Sequence, residues 1–509
     1  MKKHIITILS AAALTLTSCS KAPAPVESSP ERQPEITAAE TETVTEPEED
    51  ITLTMACFIP TGMDDYEADL TAAAMQSPFF LAVKDFNDSH EHIDIELKNY
   101  YEYYDTSLAE HPVGLSEQAA APAVRQLIVD MMNGGIIDIL PLNAIPDRGG
   151  TFDMLAAKGA FTDLYALMAE DSEINTDTLN AHVLSLFENE GELPYLITDY
   201  CIETLAGEEK YVGTEPGWTF DEFVRKWDEM PEGSVISGHD TRDYVYFDVL
   251  RNNLSAFMDY KNGTCSFDSP EFIRMLDFIG TFDTSLNYKP DINYEAPNFL
   301  DDVTVRGFQS YHDSITAPLL SEPGTYSPCT LVGYPSDDGS GSFVSANGSI
   351  GICRSSSPEK QRAAWQFLRE LVSEDSLYEA YFQNSSSWSE TDEDGEVYDY
   401  LYIEEAGFPI NNAAFERCAD DIYSRGEKGE PHYTHYSTGR LDIGWPQRSE
   451  YNDVLALIDG ISRTGSRLDT ELWDIVEDEM AKFCCGEATS EETAAMLQNR
   501  ISILVSEKT

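Results

Sequence analysis

Between Ile51 and Leu140 the spacing of apolar residues switches back and forth between two periods, and that rhythm restricts the fold more than any other feature of the chain. Ile51 to Phe58 is rich in strand formers, and Phe79 to Asn87 places Phe79, Phe80, Val83 and Phe86 at helical spacing. Ile93 to Leu97 alternates apolar with polar residues, Ser116 to Met132 returns to the helical period, and Ile136 to Leu140 supplies another strand. Strand, helix, strand, helix, strand predicts an α/β fold with a mostly parallel sheet and crossover helices. Ligands of such sheets sit beyond the carboxyl ends of the strands, so the loops after Phe58 and Leu140 are the first candidate positions.

Later helix starts are marked by local chemistry. Thr219-Phe220-Asp221-Glu222 predicts a capping box, with the Thr219 hydroxyl and the Glu222 carboxylate each taking a free backbone N–H. Asp268-Ser269-Pro270-Glu271 and Ser357-Pro358-Glu359 place proline in a first helical turn, where its missing donor costs little. Ser349 to Cys353 reads as a strand feeding the Pro358 helix. The chain closes in two amphipathic helices, Leu472 to Cys485 and Ser490 to Val505, separated by Gly486 and capped at Ser490. The sequence contains no internal repeat.

The 509 residues include 92 acidic and 32 basic ones, a formal net charge of -60. Such a surface repels phosphate backbones and anionic headgroups, which excludes nucleic acid as a partner and leaves neutral or cationic ligands. Hydrophobic residues make up 42% of the chain, enough for substantial cores, and the length suits about three compact units. Lys2 and Lys3 followed by the short apolar run Ile5 to Leu16 form an export signal, and Leu16-Thr17-Ser18-Cys19 resembles a bacterial lipobox. Residues 1–18 are thus predicted to be a lipoprotein signal peptide and Cys19 the acylated mature N-terminus. Each buried methylene contributes about 0.8 kcal/mol, so several acyl chains would hold the protein on the outer face of the cell membrane. Residues 19–50, mostly Pro, Glu, Thr, Ser and Ala, bury too little to offset their ordering entropy and are predicted to form a disordered acidic tether.

The other eight cysteines (Cys57, Cys201, Cys265, Cys329, Cys353, Cys418, Cys484 and Cys485) are widely and irregularly spaced, which suits scattered core thiols better than a disulfide framework. No G-x-S-x-G elbow, phosphate-binding loop or H-E-x-x-H motif is present. Asp392-Glu393-Asp394-Gly395 opens like a calcium loop but lacks the acidic residue that would close it. Neither a metal nor a cofactor is expected. With so many carboxylates, some pair will sit at glycosidase spacing by chance, so their abundance nominates no catalytic acid.

The order of these pieces resembles a known family. The Gly134-Gly135 turn with Asp138, the segment Pro216-Gly217-Trp218-Thr219-Phe220-Asp221-Glu222-Phe223, and Phe267-Asp268-Ser269-Pro270-Glu271-Phe272 follow its pattern. So do Ser357 to Leu368, and Gly486-Glu487-Ala488-Thr489-Ser490-Glu491-Glu492 through Gln498-Asn499-Arg500-Ile501. These are similar to segments of the extracellular solute-binding proteins, family 1, of bacterial ABC importers, over essentially all of Ile51 to Glu507. The resemblance implies a periplasmic-binding-protein-like type II architecture: two α/β lobes joined by several hinge crossings, with a ligand cleft between them. One lobe would combine residues 51–142 with 326–373, and the other 143–325 with 374–509.

The same resemblance implies a non-enzymatic, monomeric, lipid-anchored protein that delivers a small solute, an oligosaccharide, to ABC permease subunits. Asp147 and Arg148 look like the pair that hydrogen-bonds sugar hydroxyls, since carboxylate and guanidinium accept and donate in fixed planar geometry. Asn143 precedes them. Trp473 falls at the position of a stacking aromatic, although Leu472, Ile475, Val476 and Met480 around it fit helix packing equally well. Tyr200 lies near the hinge strand, and Asp243 and Tyr244 near a cleft loop. Ala144 stands where the sugar-binding pattern has tryptophan. Trp218 and Trp365 read as core, and Tyr100, Tyr101, Tyr103 and Tyr104 as the cover of a surface turn. A surface lipoprotein glycan hydrolase and a sensory solute-binding protein are the alternative functions.

Overall fold

The computed structural model describes residues 50–508 apart from 60–78, 106–116, 146–154, 251–252, 260–262, 286–295, 319–325, 337–340, 384, 392–396, 430–432, 437–438, 443 and 466–469. The predicted opening rhythm is present as β1 (Ile51–Cys57), α1 (Phe79–Ser89), β2 (Ile93–Asn99), α2 (Glu117–Met132) and β3 (Ile139–Pro141). β1 pairs in parallel with both β2 and β3. The third strand is shorter and later than Ile136 to Leu140, although the Asp138 N–H still bonds Thr54 O of β1 at 2.8 Å. Leu53 and Met55 face one core while Ala56 and Phe58 face another, as expected of a sheet covered on both faces. α1 buries Phe79, Phe80, Val83 and Phe86 on its inner stripe.

Downstream lie β4 (Leu196–Ile197), β5 (Asp199–Glu208), α3 (Phe220–Asp228), α4 (Arg242–Leu250) and α5 (Pro270–Ile279). They are followed by β6 (Asp301–Val305), α6 (Phe308–Ile315), β7 (Tyr326–Leu331), β8 (Phe343–Ala346), β9 (Ser349–Ile352) and α7 (Pro358–Leu371). β10 (Phe408–Pro409), α8 (Thr470–Cys484) and α9 (Ser490–Lys508) complete the elements that matter below. The first sheet has the order β2-β1-β3-β9-β4. Its β9 arrives late in the chain and runs antiparallel to β3 and β4, so the sheet is mixed. Asp138, fully buried, fixes this join: it accepts from Thr54 N at 2.9 Å, Ser356 Oγ at 2.6 Å and Lys360 Nζ at 2.7 Å, tying β1 to the start of α7.

The second sheet is built around β5, which β6, β7, β8 and β10 all join in antiparallel fashion. Side chains alternate across a strand. Tyr200, Ile202 and Ala206 of β5, with Val305 and Val344, enter the first core, whereas Leu205 and Phe343 enter a separate core made with α3, α4, α5, α8 and α9. β5 and β8 are therefore shared between two hydrophobic cores, the chain changes core between Leu300 and β6 and between β7 and Val332, and it passes between them once more from Ile461 to Leu472. Leu164 to Ile202 and Leu377 to Ile461 pack with the first core, where Phe408 meets Tyr200 at 5.7 Å and Phe308 at 5.5 Å.

Ser269 and Ser357 cap α5 and α7 as predicted, with proline in the first turn. The last helix begins one residue earlier in function than expected. Thr489, not Ser490, is its cap, exchanging bonds with Glu492 at 3.0 and 3.2 Å. Arg500 reaches Glu479 and Asp478 on α8, and Gln498 bonds the backbone of Phe267 and Cys265, so the closing motif is a set of clamps on the distal core. All eight body cysteines are free thiols; burial pushes Cys57, Cys201, Cys353 and Cys484 up to about 12. Among the described residues no helix is long and apolar enough to cross a membrane, and no group of His, Cys, Asp and Glu could hold a metal ion.

Candidate functional site

A pocket of about 400 Å³ opens on the distal half of the molecule, lined by Ser237, His239, Asp243, Tyr244, Phe247 and Asp302. Three pieces of chain build it. Helix α4 supplies Asp243 and Tyr244 from its first turn and Phe247 from the next, and is anchored by Arg242, whose guanidinium donates to Phe282 O, Phe483 O and Gly280 O at 3.1, 3.0 and 2.7 Å. Those three bonds turn the cation away toward helix ends that need donors. The tight turn before α4 supplies Ser237 and His239. Ser237 sits at φ 48, a left-handed conformation uncommon outside glycine, and its N–H bonds Leu300 O at 2.8 Å. Strand β6 supplies Asp302, which accepts a hydrogen bond from the Tyr334 hydroxyl.

The walls combine flat apolar faces with acceptors. His239 and Tyr244 stack with ring centroids 3.8 Å apart, and Tyr244 is 36% exposed. Phe247 meets Trp473 edge-on at 5.6 Å, and Tyr246 stacks on the same indole at 6.0 Å. Burial, with the Glu477 carboxylate beside it, pushes the Tyr246 hydroxyl up to about 12, so that phenol stays protonated. Asp243 Oδ1 is buried without a hydrogen-bond partner among the described residues. Asp302 and Thr304 occupy alternate positions of β6 and so share a face, on which Glu203 accepts from Thr304 Oγ1 at 2.8 Å and Ser345 Oγ at 3.0 Å. A polar strip thus runs from the pocket onto the shared sheet.

The candidates taken from the sequence fall in different places. Asp243 and Tyr244 come together in the pocket. Trp473, 9% exposed, backs its wall: the indole N–H donates to Glu477 Oε1 at 2.6 Å and the ring packs behind Phe247, which leaves little face for a ligand. Tyr200 is fully buried against Phe408 and Asn180, with no surface to offer. Asn143 lies in the turn just beyond β3, half-buried, with its Oδ1 lacking a partner among the described residues. Asp147, Arg148, Cys19 and the Asp392 loop lie outside the described residues. Trp218 and Trp365 are core residues, with indole bonds to Gly333 O and Asp171. Tyr100 is buried on Asp130 at 2.7 Å and stacked near Phe58. Ser237, His239, Phe247 and Asp302 were not anticipated. Asp302 reaches the pocket from the far side of a long connection, and no local pattern announces it.

No family model matches the sequence, and no curated protein matches it. Solved structures similar to it include an extracellular solute-binding protein of family 1 from Alicyclobacillus acidocaldarius, at 13% identity over 91% of this chain and 100% of that one, TM-score 0.49. A periplasmic oligogalacturonide binding protein from Yersinia enterocolitica matches at 13% identity over 90% and 100%, TM-score 0.49. A de novo designed cysteine esterase, ECH19, matches at 14% identity over 91% and 99%, TM-score 0.50. Likeness at these identities concerns the path of the chain and says nothing of ligand or activity. The fold is mixed α/β, and solute-binding proteins of family 1 stand among its structural neighbours.

Proposed function

We propose that this chain is the substrate-binding component of an ABC importer, capturing an oligosaccharide and delivering it unaltered to membrane permease subunits. The observation that carries the reading is the shared sheet: two of its strands, β5 and β8, belong to two hydrophobic cores at once, the chain changes core at the ends of two more, and the distal core's own pocket opens beside that join. Two cores joined, among the described residues, through these strands and one further crossing can rotate as rigid halves about the join, closing on a guest between them. Lobes are then divided by core membership, within β5 and β8, just before β6, after β7, and between Ile461 and Leu472. A pocket with stacked aromatic faces and carboxylate acceptors suits a sugar ring, whose C–H face packs on aromatics while its hydroxyls donate. In this reading the signal at residues 1–18 is removed, Cys19 carries the lipid, and residues 20–50 let the body move above the outer face of the cell membrane as a monomer.

Thermal denaturation across a broad panel of saccharides tests the proposal. A true ligand at a hundredfold excess over its Kd adds about 2.7 kcal/mol of stability and raises the melting temperature. The saccharide should be recovered intact. A flat response to every glycan rejects the ligand class, and recovery of shortened chains would move the protein to the hydrolases.

A further inference from the structure

We infer that the pocket prefers a saccharide bearing a protonated amine, with Asp243 receiving the ammonium group. This rests on the oligosaccharide-binding reading and narrows its ligand class. Two of the six described lining residues are carboxylates, none of the six is lysine or arginine, and the one imidazole, His239, is stacked on Tyr244. Arg242, the cation next in sequence, has its donors committed to Phe282, Phe483 and Gly280 carbonyls, so it cannot neutralise Asp243 from inside the pocket. Asp243 Oδ1 is a buried acceptor that takes no hydrogen bond from the described residues, so the charge of this pocket carboxylate is not met there by a donor of the chain.

An ammonium supplies three donors and the opposite charge at one atom, and a charge-assisted hydrogen bond is about twice as strong as a neutral one. The stacked His239 and Tyr244 rings and Phe247 offer the flat apolar surface on which the sugar's C–H face can rest. Asp302 and Glu203 continue the acceptor strip along the shared sheet, and the chain as a whole carries a net charge of -60. A uronate-containing oligosaccharide would meet repulsion at each of these levels, and an uncharged one would satisfy Asp243 less well.

Isothermal titration of the full chain at about pH 6, acidic enough for the C2 amine of a glucosamine unit to carry its proton, separates the classes. The probes are β-1,4-linked glucosamine oligomers, their N-acetylated counterparts, and galacturonate oligomers. The amine series is expected to bind about tenfold or more tightly than the N-acetylated series, with galacturonate weakest. Asp243→Asn should collapse that ratio toward one, whereas Asp243→Glu, which keeps the charge, should retain most of it. Equal affinity for amine and N-acetylated sugars, or tighter galacturonate binding, overturns the inference while leaving the oligosaccharide reading standing. A preference that survives Asp243→Asn overturns the assignment to Asp243. If none of the three series binds, the inference falls, and a flat response to the wider glycan panel then removes the parent reading with it.

Discussion

Asp171 shows how a single carboxylate can hold a tryptophan that pattern alone assigns to a core. The Trp365 indole donates to its Oδ2 at 2.8 Å, the Glu173 and Ile174 N–H groups to its Oδ1 at 2.8 and 3.0 Å, and Arg369 lies 3.3 Å away. Burial pushes this carboxyl upward, but the two backbone donors, the indole and the guanidinium outweigh it and hold Asp171 below the usual carboxylate range. A lowered folded pKa means that the stabilisation is complete above the unfolded value of about 3.9 and is lost as pH falls through the folded value. Asp171→Asn should therefore be less stable than the parent by about 1–3 kcal/mol at neutral pH. The gap should shrink below about pH 4. Urea midpoints on both sides of that window check the sign, and a gap independent of pH would show that the charge contributes nothing. At this scale the sequence was a partial guide. Residue type nominated Tyr200 and Trp473, but which face of a strand or helix meets solvent is decided by pairing partners far along the chain.

Helix starts were the most legible elements because a cap involves residues three apart and no tertiary knowledge. The Thr219 box, the Ser269 and Ser357 caps and their prolines all stand where the sequence puts them. Helix α6 is the opposite case. Its N-terminal N–H groups at Gln309 and Ser310 are taken by Glu405 at 2.8 and 2.9 Å, from about 95 residues away, so no local motif could reveal it. Burial raises the Glu405 pKa even though Tyr381 and these backbone groups donate to it. Gly307 leaves the room this cap needs. A Cβ there would run into the Tyr381 hydroxyl and the Glu405 carboxylate, both buried. Its backbone is extended, so the constraint is space rather than torsion. Gly307→Ala is expected to cost about 2–3 kcal/mol, combining overpacking with a displaced buried hydrogen bond. Chemical denaturation measures it, and a loss under about 0.5 kcal/mol, the range of an ordinary surface change, would mean the cap can shift without penalty. The candidate site divides along the same line: Asp243 and Tyr244 belong to one helical turn and were reachable from the sequence, whereas Asp302 joins them only through the register of β6 on β5.

The whole molecule raises a question that neither scale answers, whether two cores behave as one cooperative unit. Separate cores with a thin connection open independently, each with its own free energy. Here the connection is a sheet whose central strand buries Ile202 in one core and Leu205 in the other, within four residues, and Val344 and Phe343 do the same in adjacent positions. Glu203 fastens that strand to both neighbours at the same point through Thr304 and Ser345. Unfolding either core pulls strands out of the other, which exposes apolar surface and unpairs ladder bonds on both sides. The expected result is a single transition. Pulsed hydrogen exchange with mass spectrometry along a urea series should find peptides of β1, in the first core, and of α9, in the distal core, losing protection at the same denaturant concentration. A separation of midpoints larger than the measurement error would show that the sheet bends and frays freely at Glu203, so that the join serves as a flexible tether between halves rather than as a sprung hinge.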